Sequence, residues 1–222
     1  MTTFRLRYVC TANLCRSPLA ERITELRMPP AAAGQPWLAV TSAGTHGQDG
    51  LPMHLPAAEL LTGIGADPAG FTSRRLTAAM VAGDDLVLTA ELAHRDAVIA
   101  LCPTASRRTF LIREFARLVR HPPVTGGLHA PRAADGPAAE QAARARELVA
   151  AAARYRGRMP WQEPALDEIA DPDGTEAVLT ACAKDIDRAV TQIVTALLGP
   201  PPQPATVPVQ TIIPIDGRGS RS

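Results

Sequence analysis

Residues 4–19 read FRLRYVCTANLCRSPL, and this stretch decides the fold. Its first part alternates apolar side chains with arginine up to Val9, a pattern typical of a short β-strand. A polar turn follows from Thr11 to Ser17, and apolar residues then recur at helical spacing. We predict a strand, a loop and a helix, with Ser17 as the helix N-cap and Pro18 as its first residue.

The rest of the chain alternates strand and helix patterns. Strands are predicted at 38–43, 85–89 and 109–112, and helices at 57–61, 92–101, 138–155 and 178–197. Such alternation favours a parallel sheet with helices on both faces. We therefore predict an α/β fold, a three-layer α/β/α sandwich around about four parallel strands. The last helix is expected to cover the sheet with the stripe Val178, Cys182, Ile186, Ala189, Ile193 and Leu197.

The length of 222 residues suits one α/β domain with additions and is short for two. We assign residues 1–199 to this domain, with an insertion at about 121–160, where Pro, Gly and Ala interrupt the periodic pattern. Residues 200–222, rich in Pro, Gly and Arg, are predicted to be a disordered tail. The sequence leaves the oligomeric state open.

The charge balance and the hydropathy pattern disfavour two classes of partner. The 23 basic and 22 acidic residues nearly cancel, so no overall field attracts nucleic acid or an anionic membrane. No apolar run approaches the roughly 20 residues that span a bilayer. Arg5 and Arg7 stand where a signal peptide would be apolar. We therefore expect a cytoplasmic protein with no nucleic-acid partner and no membrane insertion.

Three of the four cysteines are followed six residues later by arginine, the spacing of a cysteine phosphatase loop. The pairs are Cys10 with Arg16, Cys102 with Arg108, and Cys182 with Arg188. Only Cys10 lies between a strand pattern and a helix start, where backbone N–H groups can face an anion. Cys102 meets Pro103 at once and Cys182 lies within a helix, so both are predicted to be buried thiols.

Around Cys10 the neighbouring residues have complementary chemistry. A helix N-terminus and a nearby guanidinium favour the thiolate, so Cys10 is the candidate nucleophile. Arg16 offers a planar fork that can hold two phosphate oxygens, with the phosphorus in line with the sulfur. The Ser17 hydroxyl can donate to the sulfur, whether or not it also caps the helix. Asn13 suits the left-handed backbone that an inward-facing loop requires.

Residues 9–21, VCTANLCRSPLAE, resemble the signature of the low-molecular-weight protein tyrosine phosphatases. Three further landmarks agree: TSAGT at 41–45, RRLT at 74–77 followed by DLVLT at 85–89, and DPDG at 171–174. The resemblance runs over most of residues 4–198. It implies a phosphatase I-like fold and a hydrolase that acts on a phosphorylated protein, with phosphotyrosine favoured. It also implies a cysteinyl-phosphate intermediate and neither a metal nor an organic cofactor.

The resemblance assigns roles to individual residues. Asp171 is implied to be the general acid and base, although an Asp at this place can also cap the following helix, and Asp167 and Asp173 are competing carboxylates. Ser42 is implied to support the loop with Asn13 and Ser17, or is a simple turn serine. The implied phosphate-binding residues are Thr11, Ala12, Asn13, Leu14, Cys15, Arg16 and Ser17.

Cys15 is a redox candidate. The resemblance implies that it can trap Cys10 as a reversible disulfide. The alternative is a buried thiol that fills space under the loop.

The sequence also departs from the pattern of this family. His46-Gly47-Gln48 and Asp173 stand where pocket aromatics are usual, and Phe71 stands where the family has a loop-supporting histidine. Leu14 suits a phenyl ring better than a phosphoguanidinium, since related arginine phosphatases carry threonine there. Asp173 nevertheless suits a cationic substrate, which keeps a protein arginine phosphatase open.

Two other classes compete with a protein phosphatase. A thioredoxin-coupled arsenate reductase shares this fold and loop, but should need two more redox cysteines after the third strand. The chain has Thr89-Ala90-Glu91 there. A non-catalytic phosphate-binding regulatory module would fit the missing aromatics, but it would not require an acid such as Asp171.

Overall fold

The computed structural model describes residues 3–29, 37–126, 128, 136–159, 163–172 and 174–199. Within them four parallel strands form a sheet of order β2-β1-β3-β4: β1 (Phe4–Cys10), β2 (Leu38–Gly44), β3 (Leu86–Thr89) and β4 (Thr109–Leu111). The helices are α1 (Arg16–Arg27), α2 (Leu55–Gly63), α3 (Ala78–Gly83), α4 (Leu92–Leu101), α5 (Ile112–Leu118), α6 (Pro122–Thr125), α7 (Pro137–Arg156) and α8 (Glu176–Leu198). No described helix is both long and apolar enough to span a bilayer.

Strand β1 is central to the sheet, which explains its burial. It pairs with β2 on one side, from Phe4 opposite Leu38 to Cys10 opposite Gly44, and with β3 on the other. Six of its seven residues are buried, and Arg5 is the exposed one. Because all strands are parallel, their carboxyl ends meet at one edge of the sheet. The loop after Cys10 therefore lies beside the segment that follows β3.

Helices cover both faces of this sheet. On one face Phe4, Leu6 and Tyr8 of β1 join a large core with α1, α2, α5, α7 and α8. On the other face Val9 and Val87 form a smaller core with α3, α4 and a 3₁₀ turn at 103–108. The predicted three-layer α/β/α sandwich with four parallel strands is confirmed.

Helix α8 packs along α1 and α5, and most of its predicted stripe is buried. The prediction for Val178 is wrong, because this side chain is 37% exposed. Leu179 is buried instead. Leu179 shares a helix face with Ile186 and Ile193, since residues seven apart in a helix nearly superimpose.

Helix α1 begins earlier than predicted. Cys15 is its N-cap and Arg16 its first residue, so the assignments of Ser17 as N-cap and Pro18 as first residue are wrong. Leu19 N donates to Cys15 O at 2.9 Å, which closes the first helical turn. Pro18 lies within that turn, where its missing N–H costs no helical hydrogen bond. Ser17 is thereby free to use its hydroxyl elsewhere.

The predicted insertion contains α6 and α7, and α7 contributes to the core. It buries a stripe of alanines together with Leu148. At its C-terminal end the Arg156 guanidinium lies 3.8 Å from the ring centre of Phe110, and its Nε lies 2.7 Å from Glu114 Oε1. The predicted tail at 200–222 lies outside the described residues.

Candidate active site

The loop between β1 and α1 lies at the carboxyl edge of the sheet, and hydrogen bonds hold several carbonyl groups in and beside it. Cys10 O accepts from Thr45 N at 2.9 Å, Thr11 O from His46 N at 2.9 Å, and Leu14 O from His54 N at 2.8 Å. In the described part of the chain, the backbone N–H groups of residues 11–15 have no protein acceptor. Successive free N–H groups at a helix N-terminus form a binding site for an anion.

Asn13 holds the shape of this loop. Its φ of 59° makes it the one non-glycine residue with positive φ in the described segments, as the sequence predicts. Arg74 N donates to Asn13 Oδ1 at 2.8 Å, which identifies the amide oxygen. Asn13 Nδ2 donates to Ser17 Oγ at 2.9 Å and to Ser42 Oγ at 2.7 Å. The structure thus brings together the three residues predicted to support the loop.

These bonds determine where the serine protons point. Because both serine oxygens accept from Asn13, each hydroxyl proton is free for another partner. Ser17 Oγ lies 3.0 Å from Cys10 Sγ, so it donates to the sulfur, as suits a thiolate. Ser42 donates to the buried Glu21. Burial raises the pKa of Glu21, while the Ser42 hydroxyl lowers it.

Arg16 lies beside the loop, and both terminal nitrogens of its guanidinium have partners. The side chain is buried, being 2% exposed. Nη1 contacts Glu91 Oε1 at 2.9 Å and donates to Ile169 O at 2.9 Å. Nη2 contacts Asp171 Oδ1 at 2.8 Å and donates to Thr11 Oγ1 at 3.3 Å. The fork is therefore fixed in orientation at the mouth of the loop, between two carboxylates.

The segment 163–172 carries Asp171 to the site by docking on the end of β3. Ile169 is buried, and its N–H donates to Ala90 O at 2.8 Å. Glu168 Oε1 accepts from Leu92 N at 2.9 Å. Asp171 follows two residues after Ile169, and its side chain is 69% exposed.

The structure tests two alternatives to Asp171 as the acid: that it only caps α8, and that Asp167 takes its place. Thr175 is the N-cap of α8 and accepts from Val178 N, so the alternative in which Asp171 caps this helix is wrong. Asp167 is buried and bonds Arg117 at 2.6 Å. Asp173 lies outside the described residues.

Sequence reasoning missed two residues of this site, Glu91 and His94. Glu91 caps α4, and His94 lies on the first turn of that helix. His94 Nε2 lies 2.9 Å from Thr11 Oγ1, so both residues approach the loop from the neighbouring strand. The signal that could have found them is the topology. Strand β3 is parallel to β1 and adjacent to it, so the helix after β3 begins at the edge of the sheet where the Cys10 loop lies.

Phe71 does not leave the loop unsupported. Its ring is buried and its centre lies 6.0 Å from the guanidinium carbon of Arg22. The ring makes no hydrogen bond to the loop. The polar support for Asn13 comes instead from the Arg74 backbone N–H. At the mouth, His46 is exposed and Leu14 is half-buried.

All four cysteines are free thiols in this structure. Burial, with smaller contributions from Cys182 and Cys10, raises the pKa of Cys15 to about 12. Burial likewise raises the pKa of Cys182 to about 11. Both therefore stay protonated near neutral pH, and the redox role of Cys15 stays a prediction.

Gly44 allows the loop to pass close to β2. A Cβ at this position would lie 2.5 Å from Thr11 O and 2.8 Å from Asn13 N. We expect Gly44→Ala to lower the free energy of unfolding by about 1–3 kcal/mol and to remove activity, because backbone atoms of the loop must move. Urea denaturation and phosphatase assays measure both effects. Gly63→Ala, where a Cβ meets nothing within 4 Å, is the matched control, and equal behaviour of the two variants would contradict this reading.

A comparison with protein families finds a match over the part of the chain that contains the Cys10 loop. A family model described as low molecular weight phosphotyrosine protein phosphatase matches residues 5–125. The matched region contains the Cys10 loop, Glu91 and His94, and it ends before Asp171.

Individual relatives agree with this match. The low molecular weight protein-tyrosine-phosphatase Etp of Escherichia coli K12 is 36% identical over 107 residues, 48% of this chain and 68% of that protein. A protein-arginine-phosphatase of Geobacillus stearothermophilus is 29% identical over 112 residues, 50% of this chain and 71% of that protein. The solved structure of the YwlE arginine phosphatase from the same organism covers 86% of this chain and 90% of its own, with a TM-score of 0.57. At 22% sequence identity this structural similarity supports the fold alone.

Proposed function

The chain belongs to the low-molecular-weight phosphotyrosine protein phosphatase family, and from this premise we propose that it hydrolyses protein phosphotyrosine through a phosphorylated Cys10. The observation that carries the proposal is the loop of free N–H groups around Cys10 Sγ, with Arg16 fixed at its mouth. That arrangement binds a tetrahedral oxyanion directly in front of a nucleophile.

In the first step the Cys10 thiolate attacks phosphorus and the bond to the phenolic oxygen breaks. The loop N–H groups and Arg16 hold the three equatorial oxygens, whose charge must be stabilised. Asp171 acts as the general acid and donates a proton to the departing oxygen. A positioned general acid contributes typically about 10²–10⁴-fold. The products of this step are the dephosphorylated tyrosine and cysteinyl phosphate.

In the second step water attacks the same phosphorus and the P–S bond breaks. Asp171, now a carboxylate, accepts a proton from the water and is ready for the next cycle. Ser17 donates to the sulfur at 3.0 Å, which stabilises the thiolate as it leaves. Inorganic phosphate is released, and the scheme uses no metal or organic cofactor.

Binding of the phosphate requires an exchange of partners at Arg16. The two carboxylates on its fork differ in exposure, since the Glu91 side chain is 27% exposed and that of Asp171 is 69% exposed. We expect one phosphate oxygen to replace Asp171 at Nη2 and a second to accept from Nε, while Glu91 and Ile169 O keep Nη1 in place. The exchange frees Asp171 to face the leaving group. Binding and delivery of the acid are thereby coupled.

A protein arginine phosphatase is the second candidate, and two observations favour keeping it. One of the relatives carries that name. In addition, Glu91 and Asp171 place two carboxylates at the mouth, where they suit a guanidinium group. Half-buried Leu14 on the loop argues for the phenyl ring of phosphotyrosine.

The experiment is a turnover panel on matched peptides that carry phosphotyrosine, phosphoarginine or phosphoserine. We expect the highest kcat/KM with phosphotyrosine and no turnover by Cys10→Ser. A preference for phosphoarginine would establish the second candidate. Oxyanion binding without turnover of any peptide would indicate a regulatory phosphate-binding module. Thioredoxin-dependent reduction of arsenate would indicate a reductase.

Three further assignments belong to this proposal. The catalytic domain spans residues 1–199, with its substrate supplied as a phosphorylated protein. The compartment is the cytoplasm, because the scheme needs a reduced Cys10 and reducing compartments keep thiols free. Under oxidation Cys15 protects Cys10 as a disulfide, which thiols restore.

A further inference from the structure

His94 is a buried titratable residue that the two-step scheme does not use. It is 4% exposed and lies on the first turn of α4. Its Nδ1 accepts from Glu91 N at 3.1 Å, and its Nε2 lies 2.9 Å from Thr11 Oγ1. Nε2 also lies 3.5 Å from Glu91 Oε2. His94 therefore connects α4 with the second residue of the phosphate loop.

The bond to Glu91 determines the tautomer of His94. A backbone N–H can only donate, so Nδ1 carries no proton and the ring is neutral with its proton on Nε2. Arg16, Glu91, Asp171 and Glu168 are the charged groups around the ring. Burial lowers the pKa of His94 below its ordinary value, and the positive charge of Arg16 lowers it further. The neutral tautomer is therefore the form present at pH 7.

The Thr11 hydroxyl is left with a proton to donate. Its oxygen accepts from His94 Nε2 at 2.9 Å and from Arg16 Nη2 at 3.3 Å. Two donors occupy both lone pairs of a hydroxyl oxygen, so the Thr11 proton needs a third partner. In the described part of the chain no protein acceptor takes it. Asp171 on the same Nη2 is the group that we expect a phosphate to replace.

We propose that the Thr11 side chain is a ligand of the substrate's phosphoryl group, and that His94 is the positioning residue that aims its hydroxyl proton. The inference rests on the proposed function, since a tetrahedral dianionic oxyanion is what would occupy the loop. Thr11 thus adds a side-chain donor to the backbone N–H groups. His94 contacts no substrate and acts through Thr11.

The test measures binding of tungstate, a tetrahedral dianion, by calorimetry at pH 7.5, and so needs no turnover. We expect Thr11→Val to weaken binding about tenfold, the typical cost of a hydrogen bond to a charged group. His94→Ala should weaken binding by a similar factor, and the double variant no more than either single one, because both remove the same donor. Thr11→Ser, which keeps the hydroxyl, and His94→Gln, which keeps a donor near Nε2, should each restore most of the affinity.

Matched controls separate this role from folding. Thr62→Val removes an exposed helical hydroxyl, and His121→Ala removes a histidine packed on Tyr155 outside the site. Both should bind tungstate like the wild type, and urea denaturation confirms that every variant is folded. Unchanged affinity in Thr11→Val, additive losses in the double variant, or no rescue by Thr11→Ser would each overturn the proposal. Because tungstate binding is independent of turnover, the phosphatase could fail as a function while this inference stands, and the reverse also holds.

Discussion

Arg16→Lys is expected to lower kcat/KM for a phosphomonoester by about 10³-fold, because the guanidinium N–H groups that bind the phosphoryl oxygens in the transition state are lost together. A lysine keeps the charge but has a single nitrogen, so it cannot bridge two phosphate oxygens. It also cannot keep the contacts of Arg16 with Glu91, Ile169 O and Asp171 at the same time. Steady-state kinetics with p-nitrophenyl phosphate measures the effect.

Arg22→Lys is the matched control, since it makes the same exchange on the same helix away from the loop. Arg22 pairs with Glu25 at 2.8 Å. This control should keep its activity within about twofold, because such an ion pair is worth less than about 1 kcal/mol. Activity of Arg16→Lys within tenfold of the wild type would show that a point charge suffices, and would contradict the two-oxygen clamp.

Asp171→Ala is expected to lower kcat by about 10²–10⁴-fold, the typical contribution of a general acid. Its second effect has the opposite sign. Because Asp171 Oδ1 occupies Arg16 Nη2 at 2.8 Å, its removal should strengthen binding of orthophosphate. Product inhibition and calorimetry measure this affinity. Loss of turnover together with tighter binding is a signature that a misfolded variant would not give.

Asp96→Ala is the control for this change. Asp96 is an exposed carboxylate on α4, and its ion pair is with Arg95 and not with Arg16. It should match the wild type in both measurements. If Asp171→Ala keeps full turnover, another carboxylate supplies the proton. If it binds phosphate less tightly, the exchange of partners at Arg16 is wrong.

The elements that sequence predicted well are those with strong local patterns. Alternating apolar residues before Cys10 specify β1, and the predicted helix 92–101 agrees with α4 residue for residue. The left-handed position of Asn13 was also accessible, since few residue types adopt that backbone. The start of α1 was not accessible, because Ser17 looks like an N-cap while its hydroxyl is used by Cys10.

The parts that sequence missed depend on contacts between distant segments. Glu91 and His94 reach Arg16 and Thr11 only because β3 lies beside β1 in the sheet. Nothing local in their pattern distinguishes them from ordinary helix-start residues. The choice between Asp171 and Asp167 is of the same kind, since it depends on Arg117, which holds Asp167 away from the loop.

The central claim is that Cys10 carries the phosphoryl group during turnover. The most direct measurement quenches the enzyme in acid during turnover of a phosphotyrosine substrate and locates the phosphate by mass spectrometry. We predict phosphate on Cys10, unchanged when Cys102 or Cys182 is replaced by serine. Phosphate on any other residue, or none while substrate is being turned over, would contradict the account.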